Sequence, residues 1–258
     1  MATTIMDTCE PKVFGVSPSP RQFTQLYSFV RELPASSHIH RWDEDNELTS
    51  VVVLSRLVYP TSTALVYAAR LGYDGDALKQ ISPAKISGVS REAFLSPNRT
   101  RDWLTDADAT VLREIVPTRF QELPRPIHTA LWHHESALRT YYLDHRWTLV
   151  CTGLEALVHT DKHPSTGQFI RRVPRLALEL GITISEQEAE EAYDLRCQLA
   201  HGVAFISTAT SRLPSTDQLK LYDSIEDILR VAVLRGVKDK SFGELFRDAD
   251  QIRKRWPI

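Results

Sequence analysis

The segment from Ser185 to Gly202, SEQEAEEAYDLRCQLAHG, is the feature that most limits what this chain can fold into. Ser185 is a favourable N-cap, Gly202 is a natural helix terminator, and the apolar residues between them recur at helical spacing. Arg196 lies at the centre of the apolar stripe. Because an unpaired guanidinium is costly to bury, Arg196 is predicted to bind a carboxylate, a ligand or a partner chain. The stripe consists of Ala189, Ala192, Tyr193, Arg196, Leu199, Ala200 and Val203.

The composition is that of an ordinary soluble globular protein, with 258 residues, 42% hydrophobic and 25% charged. No apolar run is long enough to predict a membrane span, and the N-terminus lacks the pattern of a signal peptide. The cysteines Cys9, Cys151 and Cys197 lack metal-site or redox spacing, which favours reduced thiols and a cytoplasmic location. A net charge of −2 argues against a protein that coats nucleic acid, but it leaves room for a small basic site.

Helical patterns dominate the chain and predict a mainly all-α fold. Residues 1–20 contain several prolines and are predicted to form an irregular arm. Residues 21–123 are predicted to form a mostly helical N-terminal region with a long loop at 74–101. Helices are expected at 21–33, 47–59 and 64–73, although the last two runs also fit buried strands, and from Thr105 to about Val116.

Residues 124–258 are predicted to form an antiparallel helix bundle, because the helical segments are joined by short connections. Pro124 and Pro126 mark the predicted domain boundary. The expected helices are 127–143, 147–158, 166–180, 185–201 and 214–235, with a short helix from Ser241.

Arg196 and His201 are the candidate catalytic pair. The spacing Arg-x4-His is weak by itself, since roughly one such match arises by chance in a chain of this composition. The helical context is more informative, because it places an arginine in an apolar stripe and a histidine at a glycine-terminated end. The alternative is a structural role, in which Arg196 pairs with Glu155 and His201 only completes the helix end.

These residues resemble HEPN domains, specifically the Apea-like HEPN group of bacteria. The likeness covers about residues 125–235 and rests on YDLRCQLAHG at 193–202, RWTLVCTGLEALV at 146–158 and FIRRVPRLALELG at 169–181. The resemblance implies a helical bundle, usually dimeric, and Arg196 and His201 as the catalytic pair. Many members are metal-independent endoribonucleases of defence or toxin systems, and others only bind RNA or serve as scaffolds. The residue after the arginine is commonly Asn or Asp in active members, whereas this chain has Cys197.

The expected chemistry needs no metal, because RNA supplies its own nucleophile, the 2′-OH. A histidine can take that proton or protonate the leaving 5′-oxygen, and an arginine can stabilise the charge on the phosphoryl oxygens. Glu155 is expected to orient Arg196 or to tune His201. The product would be a 2′,3′-cyclic phosphate. A basic patch of Arg171, Arg172 and Arg175 is predicted to bind phosphate, with an ordinary solvated helix face as the alternative.

The spacing also bears on the partners. On an ideal helix Arg196 and His201 lie about 140° and about 7.5 Å apart, so they converge only if the helix ends near His201 or a second subunit contributes its copies. We therefore predict a homodimer through helix 185–201, with a composite site at the interface. The predicted partners are RNA and a protein partner such as an antitoxin.

No cofactor or metal is predicted. The histidine-rich groups at His133–Glu135 and at His159, Asp161 and His163 lack three or four convergent ligands. A second hypothesis assigns the chain to a different class, a non-catalytic RNA-binding or protein-interaction module. Cys197 and the near-neutral charge favour this second hypothesis.

Overall fold

The structure is a computed structural model that divides into two compact units, and each is described separately. One unit comprises Met1–Thr49 and Leu65–Ser90, and the other comprises Ser50–Ala64 and Arg91–Ile258. The structure describes residues 4–7, 27–30, 47–61, 67–68, 71–74, 77–80, 85–86, 93, 95–96, 98–99, 101, 104–160, 165–201 and 215–258.

Helices dominate the described residues, which confirms the predicted mainly all-α fold. A 3-10 turn at Phe120–Glu122 separates the second helix from the third. The helices are α1 (Glu47–Val58), α2 (Asp106–Ile115), α3 (Arg125–Arg139), α4 (Leu143–Val158), α5 (Ser165–Glu179), α6 (Glu186–Ala200), α7 (Thr216–Lys238), α8 (Lys240–Leu245) and α9 (Ala249–Arg255).

The first unit contains short antiparallel strand pairs. Strand β1 (Thr4–Asp7) pairs with β2 (Tyr27–Val30), β3 (Tyr67–Ala68) pairs with β6 (Lys85–Ile86), and β4 (Leu71–Asp74) pairs with β5 (Ala77–Gln80).

These strands correct four sequence predictions. The predicted helices at 21–33 and 64–73 are wrong for the described residues, which form β2, β3 and β4. The irregular arm predicted at 1–20 contains β1, and the long loop predicted at 74–101 contains β5 and β6. A short apolar run fits either a helix or a strand, and pairing with another strand decides between them. Sequence periodicity does not report that pairing.

The second unit begins earlier in the chain than the predicted boundary at residue 124. Helix α1 belongs to it from Ser50 onward, and so does α2. Arg56 of α1 and Glu135 of α3 form a buried ion pair at 2.5 Å. Leu112 of α2 lies in one hydrophobic core with buried residues of α3 and α7. The first helices are thus part of the bundle, because their apolar and ionic partners lie on α3 and α7.

Helix α4 is the centre of the bundle. Its apolar residues at helical spacing face the core and are all buried, namely Trp147, Val150, Cys151, Leu154, Leu157 and Val158. Gly153 allows close packing, because a Cβ there would lie 2.8 Å from Leu229 of α7 and 3.2 Å from His133 of α3. Helices α3 and α7 can therefore approach α4 more closely than any larger residue would allow.

The turn between α3 and α4 lies earlier than predicted. Helix α3 ends before Thr140, whose backbone is extended, and not at Leu143. Helix α4 then begins at Leu143, four residues before the predicted start at Trp147. Tyr141 and Tyr142 continue the apolar pattern of the sequence although both are exposed. The pattern alone therefore does not indicate that the helix ends before them. Helix α5 ends at Glu179, one residue before its predicted end, and Gly181 follows in the left-handed conformation at φ 76°.

The C-terminal residues pack on the bundle. Trp256 is buried, and Arg255, the last residue of α9, forms an ion pair with Glu179 of α5. Within the described ranges, no helix has both the length and the apolar character needed to cross a membrane.

Candidate functional site

Helix α6 forms as the sequence predicts. The Ser185 hydroxyl accepts from the Glu188 amide at 3.1 Å, and the Glu188 carboxylate accepts from the Ser185 amide at 2.8 Å. This capping box satisfies two free donors of the first turn. Ala189, Ala192 and Tyr193 are buried as expected, whereas Leu199 is half-buried and Ala200 is exposed. Gly202 and Val203 lie outside the described residues.

Helix α6 packs along α4 and sets the position of Arg196. The Trp147 indole donates to the Ala192 carbonyl at 2.9 Å, and two turns further along α4 Glu155 meets Arg196. The two helices therefore run in the same direction. This packing brings Glu155 and Arg196 together although 41 residues separate them in the chain.

The ion pair between Arg196 and Glu155 is the core of the site. Arg196 Nη2 donates to Glu155 Oε2 at 2.9 Å, and the side chains are 25% and 12% exposed. Arg196 Nη1 donates to none of the described residues and is not buried, whereas Nε is buried and has no partner among them. Burial is the largest single effect and lowers the pKa of Arg196, but the Glu155 carboxylate, together with smaller contributions from Cys197 and Tyr193, raises it overall.

Tyr193 forms one wall of the site. Its ring centre lies 5.6 Å from the Arg196 guanidinium carbon, and its hydroxyl donates to the Ser165 hydroxyl at 3.3 Å. Burial raises the pKa of the Tyr193 phenol. The ring supports the guanidinium from one side by a cation–π contact.

His159 is the first residue after α4, one turn beyond Glu155. Its Nε2 lies 3.2 Å from the Ser165 carbonyl oxygen. Burial lowers the pKa of His159, and the Glu155 carboxylate acts in the opposite direction. The Arg196 charge also lowers this pKa, so His159 and Arg196 are close enough to influence each other electrostatically.

His133 of α3 completes the group around Glu155. Burial is the larger effect and lowers the pKa of the His133 imidazole. The nearby Glu155 carboxylate opposes this shift without reversing it. From the sequence, His133 and His159 are candidates for metal ligands or for solvated and helix-end residues, and not for partners of Glu155. The spacing Glu155-x3-His159 places the second of them one turn beyond Glu155, but its contact with the Ser165 carbonyl has no signal in the sequence.

In the first histidine-rich group, His134 and Glu135 are held by other side chains. His134 is bound to Glu226 at 2.8 Å and Glu135 to Arg56, both in buried pairs. Asp161 and His163 lie outside the described residues. Within the part of the chain that is described, no group of three or more His, Cys, Asp or Glu side chains could hold a metal ion.

His201 lies at the C-cap of α6, with its side chain exposed. Its backbone leaves the helical conformation, at φ −92° and ψ 2°, so the helix ends where convergence with Arg196 requires it to end. Among the described contacts, however, no hydrogen bond or ion pair joins His201 to Arg196 or Glu155. The structure therefore brings Glu155 and Arg196 together and places His201 one turn further along α6.

Two of the three arginines of the predicted basic patch, Arg172 and Arg175, form hydrogen bonds within the protein. Arg172 is buried and donates to the carbonyls of Val158 at 2.8 Å and Trp256 at 2.9 Å, so it does not face an outside phosphate. Arg175 is half-buried and donates to the Pro257 carbonyl. Arg171 is exposed and remains accessible.

The outer face of α6, opposite Arg196, is acidic. It borders a shallow groove of about 490 Å³, which Gln218 of α7 completes. The groove is lined by Gln187, Glu190, Glu191, Asp194, Leu195, Gln198 and Gln218.

Comparison of the chain with known protein families, with characterised proteins and with solved structures gave no match. The HEPN resemblance and the roles that it implies for Arg196, His201 and Glu155 therefore stay predictions.

Proposed function

We propose that Glu155, Arg196 and His201 form an endoribonuclease site of HEPN type that cleaves RNA without a metal cofactor. The observation that carries the proposal is the state of Arg196, whose Nη2 is held by Glu155 while Nη1 has no partner among the described residues. A guanidinium fixed at a half-buried position binds a phosphate more strongly than a freely moving one in water.

The reaction follows from these positions. The 2′-oxygen of a ribose attacks the adjacent phosphorus, the bond from phosphorus to the 5′-oxygen breaks, and the products are a 2′,3′-cyclic phosphate and a 5′-hydroxyl. Arg196 Nη1 donates to a non-bridging phosphoryl oxygen, and Glu155 fixes the orientation of the guanidinium. His201 exchanges a proton with one of the two ribose oxygens. A role in a bacterial defence or toxin system is part of the proposal and rests on the resemblance alone.

The test is RNA cleavage by the purified chain in EDTA, beside Arg196→Ala and His201→Ala. His145→Ala is the matched control, because His145 is exposed near the opposite end of α4. The wild type and the control should cut RNA to cyclic phosphate ends, and the two site variants should lose at least about 100-fold in rate. Equal cutting by all four proteins would identify a contaminant, and no cutting by the wild type would contradict the proposal.

A second candidate function is a non-catalytic interaction module, and the acidic outer face of α6 favours it. A two-fold dimer through this face would bring Glu190, Glu191 and Asp194 of two copies together, so the face fits a basic protein partner better than a second copy. Titration with a lysine-rich peptide at low and high salt tests this candidate. Salt-dependent binding that Glu190→Lys abolishes, together with a wild type inactive on RNA, would favour the module over the nuclease.

A further inference from the structure

We infer that His159 is the general base of this site, the group that takes the proton from the RNA 2′-OH. The inference rests on the proposed function and adds a catalytic residue to it. It starts from the position of His159 directly after α4, one turn beyond the carboxylate that holds Arg196.

The hydrogen bond of the imidazole assigns its tautomer. Nε2 of His159 lies 3.2 Å from the Ser165 carbonyl oxygen, which can only accept a hydrogen bond. The neutral ring therefore carries its proton on Nε2, and Nδ1 carries the lone pair. This is the arrangement of a base, because a backbone carbonyl fixes one nitrogen and leaves the other to react.

The second nitrogen is accessible. Nδ1 of His159 forms no hydrogen bond with the described residues, and it is not among the buried polar atoms that lack a partner. It is therefore exposed to solvent and can meet a substrate hydroxyl beside Arg196. His134, by contrast, has its Nδ1 fully buried and cannot receive a proton from outside.

The surroundings keep the imidazole neutral. Burial is the largest effect and lowers the pKa of His159, and the positive charges of Arg196 and Arg172 lower it further. The Glu155 carboxylate and the bond to the Ser165 carbonyl oppose this, without reversing it. The charged side chains near this position are Glu155 on α4, Arg172 on α5, Arg196 on α6 and Arg253 of α9, which reaches the neighbouring Thr160 carbonyl at 3.5 Å.

A buried network holds the backbone on both sides of His159. Arg172 Nη1 donates to the Val158 carbonyl at 2.8 Å and to the Thr160 hydroxyl at 2.9 Å. The buried Gln168 accepts from the Thr160 amide at 2.9 Å. Because both neighbours are held, the imidazole is placed by the fold and not by a flexible loop, as proton transfer requires.

The step balances with the groups present. The 2′-O–H proton passes to Nδ1 of His159 as the 2′-oxygen attacks phosphorus. The electron pair of the breaking bond stays on the 5′-oxygen, which takes a proton from His201. His201 thus acts as the acid, and both histidines return to their starting states by exchange with water. A base and an acid of this kind predict a bell-shaped dependence of kcat/KM on pH.

The decisive variant is His159→Gln. Its amide nitrogen can occupy the position of Nε2 and keep the hydrogen bond to the Ser165 carbonyl, but it offers no basic nitrogen. The expected result is a loss of at least about 100-fold in kcat/KM, together with loss of the limb that rises from acidic pH. The control His145→Gln changes an exposed histidine near the start of α4 and should keep both limbs. Thermal melts check that each variant is folded.

A second measurement does not depend on activity. Nitrogen-15 NMR of the imidazoles at neutral pH, with the His159 signals assigned by their absence in His159→Gln, should show a protonated Nε2 and an unprotonated Nδ1. Protonation at Nδ1 would overturn the inference, and so would unchanged kcat/KM and pH limbs in His159→Gln while the wild type cuts RNA. A wild type that does not cut RNA overturns the proposed function, and the role of His159 with it.

Discussion

Arg172 donates from Nη1 to the Val158 carbonyl at 2.8 Å and so closes the C-terminal end of the helix that carries Glu155. The last carbonyls of a helix have no partner within it and attract a positive charge. Arg172 supplies that charge from α5, and its Nε also binds the Trp256 carbonyl at 2.9 Å. One buried side chain therefore connects the end of α4, helix α5 and the residues after α9.

We expect Arg172→Ala to lower the free energy of unfolding by about 3 kcal/mol, because it leaves buried carbonyls without donors and opens a cavity. Arg171→Ala is the matched control on the same helix, and it should change stability by less than about 0.5 kcal/mol, since Arg171 is exposed. Urea unfolding at equilibrium measures both. Equal losses in the two variants would show that the buried hydrogen bonds of Arg172 do not stabilise the fold.

The local signals in the sequence were sufficient for the starts of α2 and α6. The capping boxes of Ser185 with Glu188 and of Thr105 with Asp108 use residues three apart, so the sequence itself contains the interaction. The role of Arg172 was not predictable in this way. In the run Arg-Arg-Val-Pro-Arg it looks like part of a solvated face, and its partner Trp256 lies 84 residues away.

The candidate site was predicted in part. An arginine in the apolar stripe of α6 needs a partner, and the sequence predicted a carboxylate such as Glu155 as one of the alternatives. The structure shows this ion pair. The position of His159 depends on where α4 ends and on its contact with the Ser165 carbonyl. The hydrophobic periodicity of the sequence predicts neither of them. Tertiary packing, not local propensity, brought these groups together.

A double-mutant cycle on Glu155 and Arg196 separates a structural pair from a functional one. Because both side chains are partly exposed, we expect their coupling in the free energy of unfolding to be about 1 kcal/mol or less. Glu155→Ala and Arg196→Ala should instead each reduce RNA cleavage by at least about 100-fold. Denaturant unfolding and initial cleavage rates, measured on the same four proteins, check this. A large coupling in stability without an effect on cleavage would assign the pair to the scaffold.

Glu226 should make the fold sensitive to acid. It is buried, its Oε1 lies 2.8 Å from Nε2 of His134, and its Oε2 accepts from Arg99 at 2.6 Å. Burial alone would raise its pKa, but His134, Arg99 and Arg230 together lower it from 4.5 to about 2. A pKa that is lower in the folded state stabilises the protein fully above the unfolded value, and this stabilisation is lost as the pH falls from 4.5 toward 2.

The measurement is the free energy of unfolding from pH 7 to pH 2 for the wild type and Glu226→Gln. The wild type should lose on the order of 2–3 kcal/mol more than the variant across the acidic range, because the variant has no carboxyl to protonate. Glu226→Gln should also be less stable at pH 7, since it weakens a buried network. Asp217→Asn, an exposed change on the same helix, should follow the wild type at every pH. Parallel acid profiles for the wild type and Glu226→Gln would contradict the prediction.

The two described cysteines should differ sharply in reactivity. Cys151 is fully buried in α4, and burial, assisted by the Glu155 carboxylate, raises the pKa of its thiol. Cys197 is half-buried on α6, beside Arg196. The thiolate is the reactive form, so iodoacetamide should modify Cys197 at least about 10-fold faster than Cys151 in the folded protein. Mass spectrometry of tryptic peptides measures each rate, and unfolding in urea should bring the two rates together. Equal rates in the folded protein would mean that the core around α4 opens on the timescale of labelling.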